Sequence, residues 1–275
     1  MLYPHQEWRL LITPPARGAW NMAVDEALVD RIALGDSLPC LRLYAWQPPC
    51  LSIGYAQPIK DVDTNRLAEH GWDCVRRPTG GRAILHTDEL TYSVIAPLSE
   101  SRVSGSVLES YLHLSKPLLS ALHSLAIPAQ THPINSPLKG SSSEAVCFEV
   151  PSNYEIFVDG KKLIGSAQAR RKNVVLQHGT LPLWGDLRRI TEALSYPDEK
   201  LRSAAAARLL AHATTAETVL NRKISWEETA HAFVHAFQTE LDLDFVTQEL
   251  SGEELSMVDR LVTEKYAHPT WLERI

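Results

Sequence analysis

The sequence predicts an α+β protein with a mostly antiparallel β-sheet flanked by helices and a helical C-terminal third. Segments with strand-like alternation and tight turns dominate the first two thirds of the chain, with helices between them. The last part, residues 186–275, has helical patterns, and three of them begin with a Ser or Thr followed three residues later by Glu. Hairpin strands followed by helices are typical of α+β folds. We expect one catalytic-type domain over 1–275, with 186–275 as its helical part.

Length, charge and cysteine content limit the class of protein. A chain of 275 residues buries roughly 70–75% of its unfolded surface, so its core needs no disulfides. The N-terminus lacks a signal-peptide pattern and no apolar run is long enough for a membrane span, so we expect a cytoplasmic protein without membrane association. A net charge of −6 argues against general nucleic-acid binding. The four cysteines have neither disulfide nor zinc-site spacing, and the sequence indicates no metal: Cys40, Cys50, Cys74 and Cys147.

The first half of the chain has the clearest strand patterns. Alternating apolar residues predict strands at residues 8–12, 41–46, 51–57, 72–76 and 90–94. Apolar residues at helical spacing predict helices at about 21–28, 61–70 and 106–125. On the first of these helices, we interpret Asp25 and Glu26 as a solvated or capping pair rather than as catalytic carboxylates.

The second half begins with a short strand at 127–130 and a hairpin. The hairpin pairs residues 154–158 with 161–164 through an Asp159-Gly160 turn, a favoured sequence for such turns. We expect its second strand to end at residues 165–167, and a further strand to follow at 174–181. Helices are predicted at 186–194 and 198–211. The Gly, Ser and Pro-rich stretch 131–144 has the composition of a lid over a site and equally of a plain surface loop, and the segment 146–155 that follows it favours a lid.

Residues 76–94 are the first candidate for a functional site. Two arginines, Arg76 and Arg77, lead into Gly80-Gly81, where the absent side chains permit positive φ and close approach of a ligand to the backbone. His86 follows after a short apolar step. A double glycine by itself also occurs in ordinary hairpin loops, so the function depends on the whole string.

Cys147 and Lys162 are the candidates for nucleophilic chemistry. A lone cysteine is usually a small buried hydrophobe, and a lysine on a hairpin is usually solvated. Together they form a chemically sensible pair, because an ammonium group lowers a thiol pKa and stabilises the oxyanion that develops on an acyl carbonyl. Lys161 points to the opposite face of its strand from Lys162, so only one of the two can face a site.

Several segments of the chain carry a resemblance to one superfamily. The string Arg-Arg-Pro-Thr-Gly-Gly with His86 resembles the corresponding segment of lipoate-protein ligases and octanoyltransferases, which are related to biotin protein ligases. Within that superfamily the chain is similar to the octanoyl-acyl carrier protein:protein N-octanoyltransferases of the LipM type. The segments that carry this closer resemblance span nearly the whole chain: 21–28, 51–55, 146–155, 159–168, 177–180, and Lys265-Tyr266 with Trp271.

The resemblance implies the biotin/lipoate protein ligase catalytic fold and a reaction in two stages. Cys147 attacks the octanoyl thioester on acyl carrier protein, and a lysine of a lipoyl-accepting protein such as glycine cleavage H protein then attacks the acyl-enzyme. Lys162 matches the lysine of the family's site. Because the thioester is already activated, neither ATP nor another cofactor is implied. The resemblance places these residues around the substrate: Arg77, Gly80, Gly81, His86, Gly165 and Ser166.

Two points stay open at the level of sequence. His86 and His178 are candidates for a general base, but a histidine beside glycines is as often a structural hydrogen-bond donor. The basic residues are candidates for steering acidic partner proteins, although the run 170–172 is equally consistent with a solvated face. These basic residues are Arg76, Arg77, Arg82, Lys161, Arg170, Arg171 and Lys172.

Three other functions remain as alternatives to octanoyl transfer from acyl carrier protein. The first is an ATP-dependent lipoate-protein ligase, which forms an acyl-adenylate and needs no nucleophilic cysteine. The second is an amidotransferase that moves octanoyl between lipoyl domains, and the third is a non-catalytic module that binds acylated carrier protein. Oligomeric state, acyl-chain length and the acceptor are not predicted by the sequence.

Overall fold

The computed structural model describes residues 3–131 and 155–275, and these residues form two sheets flanked by helices. The strands are β1 (Gln6–Ile12), β2 (Cys40–Tyr44), β3 (Cys50–Ile53), β4 (Asp73–Arg76), β5 (Ile84–His86), β6 (Glu89–Pro97), β7 (Gln130–Thr131), β8 (Ile156–Val158), β9 (Lys161–Arg171), β10 (Val174–Pro182) and β11 (Leu243–Thr247). The larger sheet has eight described strands in the order β11-β1-β2-β6-β10-β9-β8-β7, and the smaller has the order β4-β3-β5.

Pairing in the larger sheet is antiparallel except at one edge, where β1 pairs in parallel with both β2 and β11. The predicted fold class is therefore confirmed. The helices are α1 (Gly18–Leu34), α2 (Thr64–His70), α3 (Val107–Ser124), α4 (Glu199–His212), α5 (Ala216–Leu220), α6 (Trp226–Leu241), α7 (Gly252–Leu261) and α8 (Pro269–Leu272), with 3₁₀ turns at Ile59–Asp61 and Leu187–Glu192 and a π-helical turn at Val262–Tyr266.

Alternating side chains of the central strands supply the two faces of the core. On β6, Tyr92 and Val94 pack with α3 and α6, whereas Ile95 points to the opposite face and packs with α1 and α7. Because both faces are covered, nearly every residue of β6 and β10 is buried, including polar residues such as Ser93 and Gln177. A third cluster lies under the smaller sheet and includes Leu51 and Ile53 of β3.

Several predicted elements differ from the observed ones. The strand predicted to end at 165–167 continues to Arg171, because β10 pairs with it from Gly165↔Thr180 to Arg171↔Val174. The predicted helix at 186–194 is only a 3₁₀ turn. Thr215 rather than Thr214 caps α5, by accepting from the Thr218 amide.

The C-terminal part is helical, as predicted, but it also contains β11, which the sequence did not indicate. The caps at Ser225 and Ser251 are present, the latter as a full capping box with Glu254. Among residues 3–131 and 155–275, no helix combines the length and apolar character needed to cross a bilayer. The predicted loop or lid at 131–144 lies, apart from Thr131, outside the described residues.

Candidate active site

A cavity of ≈ 360 Å³ lies where β9 and β10 of the larger sheet face the loop between β4 and β5 of the smaller sheet. This is within the volume range of small-ligand sites. All six residues expected to bind substrate line this one cavity, so the fold brings together positions from two distant stretches of sequence. Their binding role stays a prediction. The six are Arg77, Gly80, Gly81, His86, Gly165 and Ser166.

Arg77 holds the loop of residues 78–82, which we call the glycine loop. Its guanidinium donates to the carbonyl oxygens of Gly80 (2.8 Å) and Arg82 (2.8 Å). It also donates to the backbone oxygen of Ser52 (3.0 Å) on β3. These bonds fasten the loop to the smaller sheet, so Arg77 fixes the shape of the cavity wall.

Two glycines allow the glycine loop to lie close to the turn after β3. Gly81 has φ +92°, in the region that favours glycine. A Cβ on Gly54 would lie 1.9 Å from the Gly81 carbonyl oxygen, so only hydrogen fits there. By contrast, a Cβ on Gly80 would meet no heavy atom within 4 Å. Close backbone contact is therefore a requirement at Gly54 and not at Gly80.

His86 is held on three sides. Its ring stacks on Trp46 with centroids 3.9 Å apart. Its Nδ1 lies 2.6 Å from a Glu89 carboxylate oxygen and its Nε2 lies 2.8 Å from the Ser52 hydroxyl. Because a carboxylate accepts, Nδ1 donates and Nε2 accepts the hydroxyl proton. With both nitrogens engaged, His86 matches the structural alternative better than a general base.

His178 lies on β10 and links the two sides of the cavity. Its Nε2 is 2.7 Å from the Thr79 hydroxyl in the glycine loop, and its Nδ1 is 3.5 Å from the Asp25 carboxylate. Burial lowers the pKa of His178, despite the opposing effect of the Asp25 charge. The ring is therefore neutral at pH 7 and is also engaged at both nitrogens.

The interpretation of Asp25 and Glu26 as a solvated or capping pair is wrong. Asp25 is fully buried and accepts from Arg42 at 2.7 Å. Burial raises the pKa of Asp25, but Arg42 and His178 more than offset this, so the net pKa is lowered. Glu26 accepts from Lys265 at 2.6 Å and also from Tyr266. Both carboxylates are thus partners of specific side chains.

The β9 side of the cavity is polar and hydrogen-bonded. The Ser166 hydroxyl lies 2.7 Å from the Tyr92 hydroxyl, which also accepts from Gln177 at 3.2 Å. Gly165 pairs with Thr180 and Ser166 with Gly179 in the β9–β10 ladder. A Cβ on Gly179 would lie 2.8 Å from the Gly165 carbonyl oxygen, a backbone atom that cannot rotate away, so this position also requires glycine.

Lys162 is buried and its ammonium donates to the Glu155 carboxylate. The Lys162 side chain is only 1% exposed, whereas Lys161 is partly exposed, in line with the expected opposite faces. Glu155 itself lines the cavity. The Lys162 ammonium is therefore linked to the cavity surface through the Glu155 carboxylate. Cys147 lies outside the described residues, so its predicted meeting with Lys162 stays a prediction.

Most of the basic residues considered for partner steering have intramolecular roles. Arg76 is buried and donates to the carbonyl oxygens of Gln57 (2.6 Å) and Leu272 (2.6 Å), which ties α8 to the turn after β3. Lys172 pairs with Asp30 at 2.7 Å. Arg171 is exposed, and its use in docking stays a prediction.

Comparison with known proteins gives a consistent family. The family model described as lipoyl protein ligase A/B catalytic domain matches residues 17–238. The chain belongs to that family. It is 40% identical to an octanoyltransferase LipM from Exiguobacterium sibiricum, over 97% of this chain and 98% of that protein. It is 37% identical to an octanoyltransferase LipM from Brevibacillus brevis, with 97% and 98% coverage. The family resemblance predicted from the sequence is confirmed.

Solved structures of the family have the same fold. A bipartite lipoate protein ligase from Thermoplasma acidophilum, studied with its E2 lipoyl domain, superposes with a TM-score of 0.81 at 24% identity, covering 98% of each chain. A lipoate-protein ligase A bound with ATP gives 0.79 at 24% identity, covering 97% of this chain and 98% of that one. At this identity the likeness establishes the catalytic fold alone.

Sequence reasoning missed three residues that line the cavity or contact a residue that lines it: Glu155, Asp25 and Ser52. Glu155 was recognised only within a longer matching segment, although the predicted hairpin pairs its strand with the strand of Lys162. Asp25 follows Met22 and precedes Leu28 by three residues, which places it on the buried side of α1. Ser52 had no signal beyond its strand, because its partners Arg77 and His86 come from elsewhere in the chain.

Proposed function

We propose that this protein is an octanoyltransferase of lipoate biosynthesis, which moves octanoyl from octanoyl-acyl carrier protein to a lysine of a lipoyl-accepting protein such as glycine cleavage H protein. The observation that carries the proposal is the identity of 36–40% to relatives named octanoyltransferase LipM, each matched over 97–99% of its own length. The cavity supports it, because it has room for a small acyl group and is lined by Glu155, the partner of the buried Lys162.

In the first stage, the Cys147 thiolate attacks the carbonyl carbon of the octanoyl thioester. The oxyanion that forms collapses, the bond to the carrier's sulfur breaks, and the carrier leaves as a thiolate that takes up a proton. The product is an octanoyl thioester on Cys147. We assign the stabilisation of this oxyanion to the Lys162 ammonium, which is positioned by Glu155.

In the second stage, the ε-amine of the acceptor lysine attacks the acyl-enzyme. A carbon–nitrogen bond forms, the carbon–sulfur bond to Cys147 breaks, and the amine loses a proton as the amide forms. The Cys147 thiolate is regenerated, so the cycle balances without ATP. Lys162 again stabilises the oxyanion, because both stages pass through the same type of intermediate.

The other three cysteines are poor candidates for the nucleophile. Burial raises the pKa of Cys40 and of Cys74 to about 12, and it raises the pKa of Cys50 well above its ordinary value. A thiol with such a pKa is protonated at pH 7 and unreactive, since the thiolate is the attacking species. None of the three lines the cavity. These facts favour Cys147 as the nucleophile.

The decisive experiment is intact-protein mass spectrometry of the enzyme mixed with octanoyl-acyl carrier protein in the absence of ATP. We expect wild type and Cys74→Ala to gain one octanoyl group, and Cys147→Ala to gain none. Adding glycine cleavage H protein should discharge the adduct onto the acceptor. Absence of an adduct, with acceptor modification only when ATP and free octanoate or lipoate are supplied, would move the protein to the ligase class.

A further inference from the structure

The glycine loop belongs to the smaller sheet, but one of its side chains is bonded to the larger sheet. Arg77 and the Tyr55 amide, which donates to the Thr79 carbonyl at 2.8 Å, hold the loop from its own side. Thr79 is almost fully buried, and its hydroxyl lies 2.7 Å from His178 Nε2 on β10. This bond spans the two walls of the cavity, since His178 lines the same cavity as Gly80 and Gly81.

The direction of this hydrogen bond follows from the next group along. The Asp25 carboxylate lies 3.5 Å from His178 Nδ1, and because its pKa is lowered it is ionised at pH 7. The imidazole therefore carries its proton on Nδ1 and leaves Nε2 as an acceptor. The Thr79 hydroxyl must then donate to Nε2. Asp25 thus fixes the tautomer of His178, and His178 in turn fixes the Thr79 hydroxyl as the donor.

Asp25 is itself fixed firmly in the core. Besides Arg42, it accepts from the hydroxyls of Ser93 (3.0 Å) on β6 and Tyr44 (3.3 Å) on β2. These partners come from two strands of the larger sheet, β2 and β6, and all are buried. A buried network whose members are all satisfied is rigid. Asp25 therefore provides a fixed point against which His178 is oriented.

We infer that Asp25, His178 and Thr79 form a positioning relay that sets the distance of the glycine loop from β10, and thereby the fit of the acyl thioester in the cavity. The inference rests on the proposed octanoyl transfer for its kinetic consequence. None of the three residues has to touch the reacting atoms. They act by holding the Gly80–Gly81 backbone, and misplacement of about 1 Å in a reacting geometry can lower a rate by about 100-fold.

The test uses a pair of substitutions at Thr79. Thr79→Val keeps the shape and removes the hydroxyl, whereas Thr79→Ser keeps the hydroxyl. Thr229→Val is the matched control, because Thr229 is a buried threonine on α6 whose hydroxyl donates to the Ser225 carbonyl oxygen at the start of its own helix (2.8 Å). We expect Thr79→Val to lower kcat for octanoyl transfer by about 10- to 100-fold with a smaller change in KM. Thr79→Ser and Thr229→Val should remain within a few-fold of wild type.

A second measurement does not depend on activity. Amide hydrogen exchange of residues 79–82 in the unliganded protein should be faster in Thr79→Val and in Thr79→Ala than in wild type, and unchanged in Thr79→Ser. Unchanged exchange in both hydroxyl-free variants, or a Thr79→Ser protein as impaired as Thr79→Val, would overturn the relay. A wild-type protein that transfers no octanoyl would instead overturn the proposed function, and the exchange data would still decide whether the relay holds the loop.

Discussion

At the residue scale, the buried Lys162–Glu155 pair is the feature with the largest consequence. Both side chains are almost wholly buried, where neither charge is stable without the other. Buried ion pairs contribute little net stability relative to apolar residues, but removal of one partner leaves an uncompensated charge and costs about 3–5 kcal/mol. The pair is therefore better explained by chemistry at the cavity than by folding.

Lys162→Met should abolish most of the octanoyl transfer. Loss of a single oxyanion donor typically lowers kcat by about 100- to 1000-fold, and we expect a reduction of that size in the rate of acyl-enzyme formation. Lys161→Met is the matched control, because the adjacent lysine points to the other face and should retain nearly full activity. Rapid-quench mass spectrometry of the acyl-enzyme measures both rates.

Unfolding of the Lys162 variant must be distinguished from loss of chemistry. The double variant Lys162→Met/Glu155→Gln removes both charges and should recover much of the unfolding free energy lost in Lys162→Met. It should not recover activity. If the double variant transfers octanoyl at the wild-type rate, Lys162 has no role in stabilising the oxyanion.

Sequence reasoning at this scale identified residue types better than residue partners. The six cavity positions were chosen by resemblance, and alternation along the strand separated Lys162 from Lys161. The partners Glu155, Ser52 and Asp25 were not identified, because each makes its contact across 7 to 153 positions of the chain. Such contacts depend on how sheets pack and not on local pattern.

At the scale of elements, the glycine loop is positioned by backbone contact with the turn after β3. Gly54→Ala should therefore displace the loop, since its Cβ would overlap the Gly81 carbonyl oxygen, a backbone atom that cannot rotate away. We expect a loss of unfolding free energy of about 1–3 kcal/mol and a marked loss of transfer activity. Thermal unfolding and a steady-state transfer assay measure the two effects.

Gly80→Ala is the matched control for this change, because open space surrounds that position. Its stability should be within about 0.5 kcal/mol of wild type, as for surface substitutions away from special features. Equal destabilisation by the two substitutions would mean that the close approach of Gly54 and Gly81 does not constrain the loop.

The elements that sequence reasoning misjudged share one physical reason. Small residues at 165–167 are typical of a strand end, yet β9 continues because β10 offers hydrogen bonds along its whole length. Residues 243–247 are too short to stand out between two capped helices, and they form a strand only because β1 presents an open edge. Tertiary hydrogen bonding overrode local propensity in both places. Strong local signals, such as the Ser251 capping box, were predicted correctly.

At the scale of the whole molecule, the site is built where the two sheets face each other, and the helices α1 and α6 close the outer faces of the larger sheet. The class of fold followed from the order of strands and helices, but the parallel edge β11-β1-β2 did not, since strand order depends on distant pairing. The relay through Asp25 couples this core to the cavity, so protonation of His178 affects the stability of the entire fold.

Stability should fall as the pH decreases below about 6.5, in part through His178. Its folded pKa is lowered by burial, with further lowering from Arg77 and His86 and an opposing effect from Asp25. As the pH falls through about 6.5, His178 therefore binds a proton in the unfolded chain before it does so in the folded protein. The free energy of unfolding consequently rises with pH between the folded pKa and about 6.5. His178→Gln should flatten the profile below pH 6.5, with a change in slope of at most about 1.4 kcal/mol per pH unit.

The contribution of His5 to stability changes with pH in the opposite direction, so His5 serves as the comparison. Hydrogen bonds to Asp242 and Asp244 raise the pKa of His5, so its contribution is present below pH 6.5 and is lost as the pH rises through its folded value. Chemical denaturation of wild type, His178→Gln and His5→Gln at several pH values separates the two effects. A His178→Gln profile parallel to that of wild type from pH 7 to pH 5 would mean that His178 is not held neutral in the folded protein. A protonated His178 would carry a proton on Nε2, which could then not accept the Thr79 hydroxyl hydrogen bond on which the link between the core and the glycine loop depends.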